Sequence, residues 1–354
     1  MTEQQRRAFN RAILSWHDAN GRDLPWRYEK DPYKIWVSEI MLQQTRAETV
    51  IGYYHRFLEE FPTVQALAHA PEQRVLKQWE GLGYYSRARN LQKAAQVVCD
   101  EMGGAFPQSA AELKKLPGIG EYTAGAVASI AFQQRAAAVD GNVIRVLSRV
   151  LGIRDNMRLP ASRRKLSRMA EEMVDEARPG DYNQAMMGLG ALLCTPRRAD
   201  CKQCPVAEWC DARAKGDALE LPVLPPPADK QTERRGVALV LCENKILVSQ
   251  RREPGLLSGL WQFPNFLDAV TGAAVRECLE EMGLTRISAM GRLPDAKHVF
   301  THKIWKMQGF AFESAQPVAS SGRWVDLETF RSLPFPTALR VYKELAEQMM
   351  EERS

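Results

Sequence analysis

The stretch LPGIGEYTAGAV, residues 116–127, joins two segments of helical pattern, Ala110–Leu116 and Glu121–Phe132. Gly118 and Gly120 lie in the short connection and allow a tight turn whose backbone N–H groups point outward. With no side chains in the way, these donors can approach a phosphate, and the following helix adds the positive end of its dipole. The stretch therefore predicts either a hairpin that grips DNA without reading its sequence or a simple helix-to-helix turn.

The chain around this turn has an ordinary globular composition. It has 354 residues, a net charge of +5 and a hydrophobic fraction of 45%, which together exclude a disordered chain, a coiled coil and a collagen-like repeat. Its length suits two domains. No stretch approaches the roughly 18 uninterrupted apolar residues of a spanning helix, and the N-terminus lacks the apolar core of a secretory signal. We therefore expect a cytoplasmic protein with no membrane partner.

The pattern of apolar residues changes at a proline-rich segment. Before it the pattern is helical almost throughout, and the absence of proline between Pro32 and Pro62 predicts one helix over residues 35–61. After it, short apolar runs alternate with one helical segment. We expect an all-α domain over residues 1–216, a stiff linker over 217–235 that contains prolines 225–227, and an α/β domain over residues 236–354.

Basic residues are concentrated in the later part of the first domain. Between Arg135 and Arg168 only Asp140 and Asp155 oppose them. The basic residues inside this interval are Arg145, Arg149, Arg154, Arg158, Arg163, Arg164 and Lys165. Such a segment is either a solvated helix face or the electrostatic footprint of a protein that binds a phosphate backbone.

Two carboxylates of the first domain have contrasting sequence contexts. Glu39 lies among apolar residues, with Gln43 one helical turn further on, so burial is expected to raise its pKa. Asp140 lies at the start of a helical segment, residues 139–143. Either Asp140 or Asn142 simply caps this helix, or the positive end of the helix dipole keeps the Asp140 carboxylate ionised. A proton donor and an ionised carboxylate are the groups needed to cleave a glycosidic bond.

Four of the seven cysteines are gathered in one short segment. They are spaced Cys194-x6-Cys201-x2-Cys204-x5-Cys210. Reduced thiols gathered this tightly usually share a metal ion or cluster, and two paired C-x2-C knuckles, the commoner zinc pattern, are not present. The other three cysteines are scattered and are expected to be small buried hydrophobic residues.

The chain resembles the adenine DNA glycosylases, a family of the helix–hairpin–helix Gly/Pro–Asp superfamily. The motifs that carry the resemblance occur in order: VSEIMLQQTRAETV, WEGLGYYSRARNL, LPGIGEYTAGAV, AVDGNVIRVLSR, NQAMMGLGALLC and the cysteine run. The resemblance covers most of residues 5–215 and continues more weakly through the second domain. The implied fold is an all-α helix–hairpin–helix glycosylase domain with an iron–sulfur cluster loop, residues 194–210, followed by an α/β Nudix-like domain.

The resemblance implies a substrate and a reaction. The substrate is double-stranded DNA in which adenine is mispaired with 8-oxoguanine or guanine, and the adenine is flipped out of the stack before its bond to the sugar is hydrolysed. The related endonuclease III enzymes carry a Schiff-base lysine where this chain has Tyr122, so we expect a monofunctional enzyme that leaves an abasic site. We expect a monomer that could bind downstream repair proteins.

The resemblance also assigns roles to individual residues. Glu39 would protonate adenine N7 and Asp140 would stabilise the sugar cation, with Tyr122 and Asn142 supporting these two carboxylates. The other assigned residues are Trp26, Arg27 and Gln184 in the adenine pocket, Gln44 and Tyr84 as wedges in the DNA stack, Gly118 and Gly120 at the DNA backbone, and Cys194, Cys201, Cys204 and Cys210 as ligands of one 4Fe–4S cluster. Gly188 departs from the family, many of whose members have an acidic residue there.

The second domain carries two further signals. Arg276-Glu-Cys-Leu-Glu-Glu-Met-Gly283 resembles the helical half of a Nudix box, but Gln262 and Asp268 stand where the full box needs glycine and glutamate, so we expect its hydrolytic chemistry to be lost. Phe300-Thr-His302 resembles the Phe-Ser-His loop that recognises 8-oxoguanine, with Thr301 in place of serine. Two alternatives stay open, a Nudix nucleotide hydrolase and a non-catalytic helix–hairpin–helix DNA-binding protein.

Overall fold

A computed structural model describes residues 1–226, 229–253, 255–318 and 322–353. The chain divides into two compact units, the first formed by Met1–His69 and Asn90–Pro226 and the second by Ala70–Arg89 and Pro227–Ser354. Residues 70–89 therefore join the second unit, whereas the sequence pattern predicts them in the domain over residues 1–216. Of the predicted linker, Pro227 and Ala228 lie outside the described residues.

The chain forms twelve α-helices before the first strand of the sheet, in the described residues. They are α1 (Glu3–Asn20), α2 (Pro32–Leu42), α3 (Ala47–Glu60), α4 (Val64–His69), α5 (Glu72–Gln78), α6 (Ser86–Met102), α7 (Ala110–Leu113), α8 (Glu121–Phe132), α9 (Gly141–Val150), α10 (Pro160–Met173), α11 (Pro179–Leu192) and α12 (Asp211–Lys215). Of these, α5 and the first residues of α6 belong to the second unit. The all-α character predicted for the first domain is confirmed.

The prediction of a single helix over residues 35–61 is wrong, because this segment forms two helices. Asp31 caps the first of them and Pro32 occupies its first turn, an arrangement that favours a helix start. This helix, α2, ends at Leu42, and α3 begins only at Ala47. Between them Gln44 has a φ of 58°, in the left-handed region that a right-handed helix cannot include.

Small residues let α8 pack closely inside the first unit. Residues 123–130 of this helix are buried, and a Cβ atom added at Gly125 would lie 2.1 Å from the backbone oxygen of Ala137. Glycine is therefore required at this close approach. The packing fixes the N-terminal turn of α8 against α2 and brings the segment before α9 alongside.

A mixed sheet forms the centre of the second unit. Its strands are β1 (Gln231–Cys242), β2 (Lys245–Gln250), β3 (Trp261–Gln262), β4 (Asn265–Leu267), β5 (Ile287–Val299), β6 (Lys303–Ser314) and β7 (Arg323–Val325). They run in the order β3-β2-β1-β6-β5, with β4 paired to β1 and β7 to β2, and only the β1–β6 pair is parallel among the described strands. Strand β1 begins inside the segment predicted as linker.

Both faces of this sheet are covered by helices. Val237, Leu239 and Leu241 of β1 enter one apolar cluster with α14 (Leu327–Ser332) and α15 (Arg340–Glu351), whereas Ala238 and Val240 enter another with α13 (Gly272–Glu281). This alternation follows from the two-residue period of a strand. The predicted α/β, Nudix-like class of the second domain is confirmed.

Residues 70–89 are fixed to the second unit by several polar contacts. Trp261 Nε1 donates to Gln73 Oε1 at 2.9 Å, and the Tyr85 hydroxyl donates to the backbone oxygen of Phe335 at 3.1 Å. Lys343 forms an ion pair with Glu80 at 2.6 Å. These contacts explain why the segment belongs to this unit.

No helix in the part of the chain that the structure describes combines the length and the apolar character needed to cross a membrane.

Candidate active site

A buried carboxyl group forms the centre of the candidate site. Glu39 projects from α2 and is only 4% exposed. The hydroxyl of Tyr122, in the first turn of α8, donates a short hydrogen bond to Glu39 Oε2. One turn beyond Glu39, Gln43 donates to Thr123 Oγ1 at 3.1 Å. Glu39 and Gln43 therefore share one face of α2, as their spacing predicts, although Gln43 is the capping residue at the end of that helix.

Burial changes the acidity of this carboxyl group. It raises the pKa of Glu39 from 4.5 to about 7, while the Tyr122 hydrogen bond opposes the rise and the negative charge of Asp140 adds to it. Burial, together with the neighbouring Glu39 and Asp140, holds the pKa of Tyr122 well above its usual value. Tyr122 therefore remains a protonated donor near neutral pH, and Glu39 can act as an acid there.

Asp140 caps α9 and has more donors than Glu39. Its two carboxylate oxygens accept from the backbone N–H of Val143 and from Asn142 Nδ2, each at 2.7 Å. Burial raises the pKa of Asp140, and these two donors and the charge of Arg145 oppose the rise. Asp140 therefore caps the helix, as one of the two predictions has it, and its carboxyl group is held by two donors beside Glu39.

Arg145 supports the segment and was not assigned to the site from the sequence. Its Nη2 donates to Asn142 Oδ1 at 2.8 Å and to the backbone oxygen of Gly190 at 2.7 Å. Its Nε donates to the backbone oxygen of Cys194 at 2.7 Å. The spacing of Asn142 and Arg145, three residues apart on a helix, is the local signal that could have indicated their contact.

Two of the basic residues expected on a solvated or DNA-facing surface are instead buried. Arg145 is 8% exposed and Arg149 only 1%. Arg149 donates to the backbone oxygens of Leu221 and Thr195 and to the sulfur of Cys194 at 3.1 Å. These two side chains therefore hold the cysteine segment and contribute no surface charge.

The predicted hairpin is present between α7 and α8, although α7 ends at Leu113 rather than Leu116. Gly118 has a φ of 75°, and a Cβ atom there would lie 2.5 Å from the side chain of Asn90. Gly120 precedes α8 with open space around it and with no side-chain cap on the helix. The backbone donors of this turn are therefore accessible to an anion.

The residues predicted for the adenine pocket are not all in one place. Arg27 and Gln184 line a cavity of about 320 Å³ with Tyr28 and Gln133. Arg27 donates to His17 Nε2 at 2.8 Å. Trp26 is buried edge-on against Tyr54, with their ring centroids 5.4 Å apart. Gly188 has only the Trp16 ring within 4 Å of an added Cβ, at ordinary contact distance.

The two predicted wedge residues share an unusual backbone conformation. Gln44, in the first unit, has a φ of 58°, and Tyr84, in the second unit, has a φ of 49°. Residues other than glycine rarely adopt this left-handed backbone conformation, and those that do are concentrated at functional sites. The Tyr84 side chain is 46% exposed, whereas Tyr85 is buried. Of this pair, Tyr84 is therefore the residue available to a ligand.

A cavity in the second unit contains the loop predicted to recognise 8-oxoguanine. Its volume is about 460 Å³, and its lining includes Tyr84, Phe300, Thr301 and His302. The Tyr84 hydroxyl lies 3.2 Å from Thr301 Oγ1, within hydrogen-bond distance. The structure thus brings a predicted wedge residue together with a loop that lies far from it in the sequence.

The four clustered cysteines surround a common cavity, lined by Cys194, Cys201, Cys204 and Cys210. Among the described residues, no set of three or more His, Cys, Asp and Glu side chains could hold a metal ion. The guanidinium of Arg149 donates to the sulfur of one of them, Cys194, at 3.1 Å.

The half Nudix box on α13 forms a solvated face. Glu277, Glu280 and Glu281 are all exposed, and Glu280 forms an ion pair with Arg276 at 2.8 Å. The described residues contain no acidic cluster suited to a metal ion.

Comparison with known protein families matches both units. Residues 37–175 match the HhH-GPD superfamily of base excision DNA repair proteins, and residues 236–345 match the NUDIX domain. Among solved structures, a thermostable thymine-DNA glycosylase is 32% identical with a TM-score of 0.55, covering 60% of this chain and 98% of that one. A non-covalent endonuclease III–DNA complex is 25% identical with a TM-score of 0.52, covering 61% and 98%.

The chain is similar to adenine DNA glycosylases over nearly its whole length. It is 37% identical to that of Rattus norvegicus, over 95% of this chain and 78% of the relative. The identity to that of Homo sapiens is 36%, over 94% and 73%. The identity to that of Buchnera aphidicola subsp. Schizaphis graminum is 31%, over 95% and 98%.

The buried carboxyl group predicts a pH-dependent gain in stability when Glu39 is replaced by glutamine. The pKa of Glu39 is about 7 when folded and near 4.5 when unfolded, so the unfolded chain releases this proton first as the pH rises. Wild-type stability therefore falls between about pH 4.5 and 7, and Glu39→Gln should be more stable above pH 7 by roughly 3 kcal/mol.

Urea unfolding followed by the helical circular dichroism signal measures this effect at pH 5 and pH 8. The gain should be small at pH 5 and large at pH 8. Glu59→Gln, at an exposed position of α3, is the matched control and should change little at either pH. An equal gain at both pH values for Glu39→Gln would contradict the burial of an acidic group.

Proposed function

Because this chain belongs to the adenine DNA glycosylase family, we propose that it removes adenine mispaired with 8-oxoguanine or guanine in double-stranded DNA. Its activity as an adenine-excising DNA N-glycosylase of base excision repair is that of the family. The observation that carries the proposed mechanism is the pairing of buried Glu39 with Tyr122 beside Asp140.

The proposed first step is protonation of the base. Adenine is a poor leaving group as an anion, and a proton on its N7 makes it a neutral one. Glu39 is suited to supply this proton, since its pKa of about 7 leaves much of it in the acid form near neutral pH. The base must first be flipped out of the duplex, because a glycosidic bond inside the stack is out of reach.

Asp140 is proposed to stabilise the positive charge that develops on the sugar. Its bonds to Val143 and Asn142 hold the carboxylate in one orientation, so it does not reorganise as the bond to adenine breaks. Water then completes the hydrolysis. The two carboxyl groups thus take opposite roles because one has a single donor and the other has several.

Tyr122 also limits the reaction to base removal. A lysine at this position would attack the sugar and open a route to strand cleavage. The phenol of Tyr122 remains protonated and bonded to Glu39, so it holds this side chain in place and forms no Schiff base. We therefore propose that the product is an intact strand with an abasic site.

Arg27 and Gln184 are proposed to bind the flipped adenine, because both line one polar cavity in the first unit. Trp26, next to Arg27 in the chain, is buried in the core against Tyr54 and does not line this cavity. The wedge role is proposed for Gln44 and Tyr84 on the basis of their strained, left-handed backbone.

The DNA backbone is proposed to bind at the turn between α7 and α8. Gly118 keeps the turn tight and Gly120 leaves the first N–H groups of α8 uncovered. Such contacts carry no sequence information, which suits an enzyme that must find a lesion in any context.

We further propose that the four clustered cysteines, Cys194, Cys201, Cys204 and Cys210, hold one 4Fe–4S cluster. Their shared cavity and the Arg149 donor fit this group. When bound, the cluster would cross-link the segment and take no part in base removal. Arg197, Arg198, Lys202 and Arg213 are exposed around it and would present positive charge to DNA phosphates.

The second unit is proposed to recognise the base opposite adenine. Thr301 offers a hydroxyl that can bond to an oxidised base, and the nearby Tyr84 hydroxyl helps to fix its direction. The threonine hydroxyl replaces that of serine without loss of this capacity. Phe300 and His302 complete the lining of the cavity.

Replacing Glu39 should abolish excision. With a duplex that holds adenine opposite 8-oxoguanine, Glu39→Gln should lower the single-turnover rate by roughly 10²–10⁴-fold, since it removes the acid. Strand scission after alkali measures excision, and wild-type product should stay uncut without alkali. Glu59→Gln should retain the wild-type rate. Retained excision by Glu39→Gln, or binding without any excision by the wild type, would contradict the proposed mechanism.

The Thr301 hydroxyl should contribute to discrimination between mispairs. Thr301→Val keeps the shape and removes the hydroxyl, so the preference for 8-oxoguanine over guanine opposite adenine should fall by roughly 3–10-fold. Thr301→Ser should keep that preference. The measurement is the ratio of single-turnover rates on the two duplexes, and an unchanged ratio in Thr301→Val would exclude a role for this hydroxyl.

The proposed 4Fe–4S cluster predicts that the protein contains iron rather than zinc. Protein purified without oxygen should contain about four irons and four acid-labile sulfides per chain and absorb near 400 nm, as thiolate-bound 4Fe–4S clusters do. Elemental analysis of two variants locates the site. Cys204→Ala should lower the iron content, whereas Cys278→Ala, at a cysteine outside the cluster segment, should leave it unchanged. A colourless wild-type protein with one zinc per chain would overturn the assignment.

A further inference from the structure

The hydroxyl group of Tyr122 has two acceptors but only one proton. It lies in hydrogen-bond contact with Glu39 Oε2 and also with the sulfur of Met187, the latter at 3.3 Å. A hydroxyl can donate once and can also accept. The side chain of Met187, on α11, therefore competes with Glu39 for the proton of Tyr122.

The two charge states of Glu39 use this hydroxyl differently. When Glu39 is a carboxylate, it has no proton to give, so Tyr122 donates to it and the sulfur is left out. When Glu39 is protonated, it can donate to the tyrosine oxygen, and the phenol proton then turns to the sulfur. A thioether is a weak acceptor, yet here it is the partner that satisfies the hydroxyl in the acid state.

We propose that Met187 is a positioning residue that acts through Tyr122 to favour the protonated form of Glu39. The inference rests on the proposed role of Glu39 as the acid. As Glu39 passes its proton to the base nitrogen, the Tyr122 hydroxyl turns from the sulfur to the new carboxylate and stabilises it. Only the Glu39 O–H bond is broken, the phenol O–H bond persists, and no group is oxidised or reduced.

The charged groups around Glu39 are unaffected by a change at Met187. Asp140, at the start of α9, faces Glu39 and raises its pKa, and Arg145 lies behind Asp140. Tyr122, on α8, is the remaining titratable group that acts on it. Removing the sulfur changes none of these charges, so an effect on the acidity of Glu39 would arise through the hydroxyl.

The adjacent residue on α11 provides a matched control. Met186 is 1% exposed and packs in the apolar core, and its sulfur has no hydrogen-bond partner among the described residues. A methionine-to-leucine change at either position removes one sulfur and keeps most of the volume. Only the change at position 187 should alter Tyr122.

The test is the pH dependence of kcat/KM for adenine excision by the full-length protein, with adenine opposite 8-oxoguanine as substrate. This profile reports the free enzyme, and activity should fall as the pH rises through the pKa of Glu39. Met187→Leu should lower the midpoint by about half a unit to one unit, which reduces the rate above the midpoint about 3–10-fold. Met187→Gln, whose amide oxygen can accept the same proton, should restore the midpoint, and Met186→Leu should leave it unchanged.

Two results would overturn the inference. One is an unchanged midpoint in Met187→Leu, and the other is an equal shift in Met186→Leu, which would indicate a general packing effect. In a Tyr122→Phe background the change at Met187 should have no further effect on the midpoint, and a persisting shift would exclude transmission through the hydroxyl. Excision that survives Glu39→Gln would instead contradict the proposed acid itself, so the two failures are distinguishable.

Discussion

Removing the Glu39 carboxyl group from water is the energetic constraint that organises the first unit. With almost no exposure and the Tyr122 hydroxyl as its donor, this carboxyl group is harder to ionise, so much of it keeps its proton near neutral pH. The surrounding structure meets this constraint at several points. Helix α2 ends soon after Glu39, α8 packs closely enough to deliver Tyr122, and α9 begins beside it with Asp140. Reactivity and local instability therefore have the same origin.

Helix α9 connects this constraint to the cysteine segment. Its first turn holds the Asp140 carboxylate, and its next turns carry Arg145 and Arg149, whose guanidinium groups bond to Cys194 and its neighbours. Both arginines are buried, so each must find several acceptors, and backbone oxygens supply most of them. The segment that surrounds the cysteines is consequently held in a fixed position relative to Asp140, at the start of the same helix.

The sequence predicts the local features of this site and misses those that depend on tertiary packing. The apolar neighbours of Glu39, the capping position of Asp140 and the glycines of the hairpin all act within a short stretch of chain, so their effects can be derived from the sequence. The contacts of Met187 with Tyr122 and of Arg149 with Cys194 instead join separate elements that are distant in the sequence. The break between α2 and α3 contains neither proline nor glycine, so it gives no local signal. The contact of residues 70–89 with the second unit could not be predicted either, because the contacting residues lie far apart in the sequence.

The membership of residues 70–89 in the second unit makes that unit discontinuous in the chain. A ribosome releases this segment long before it makes the residues that Gln73, Glu80 and Tyr85 contact. The segment must wait while the rest of the first unit, Asn90–Pro226, is synthesised. A gene fragment that begins at the proline-rich segment would therefore encode a sheet without its docked helix. Recombination at a single point between the two units cannot exchange them cleanly, and evolution is expected to transmit both units together.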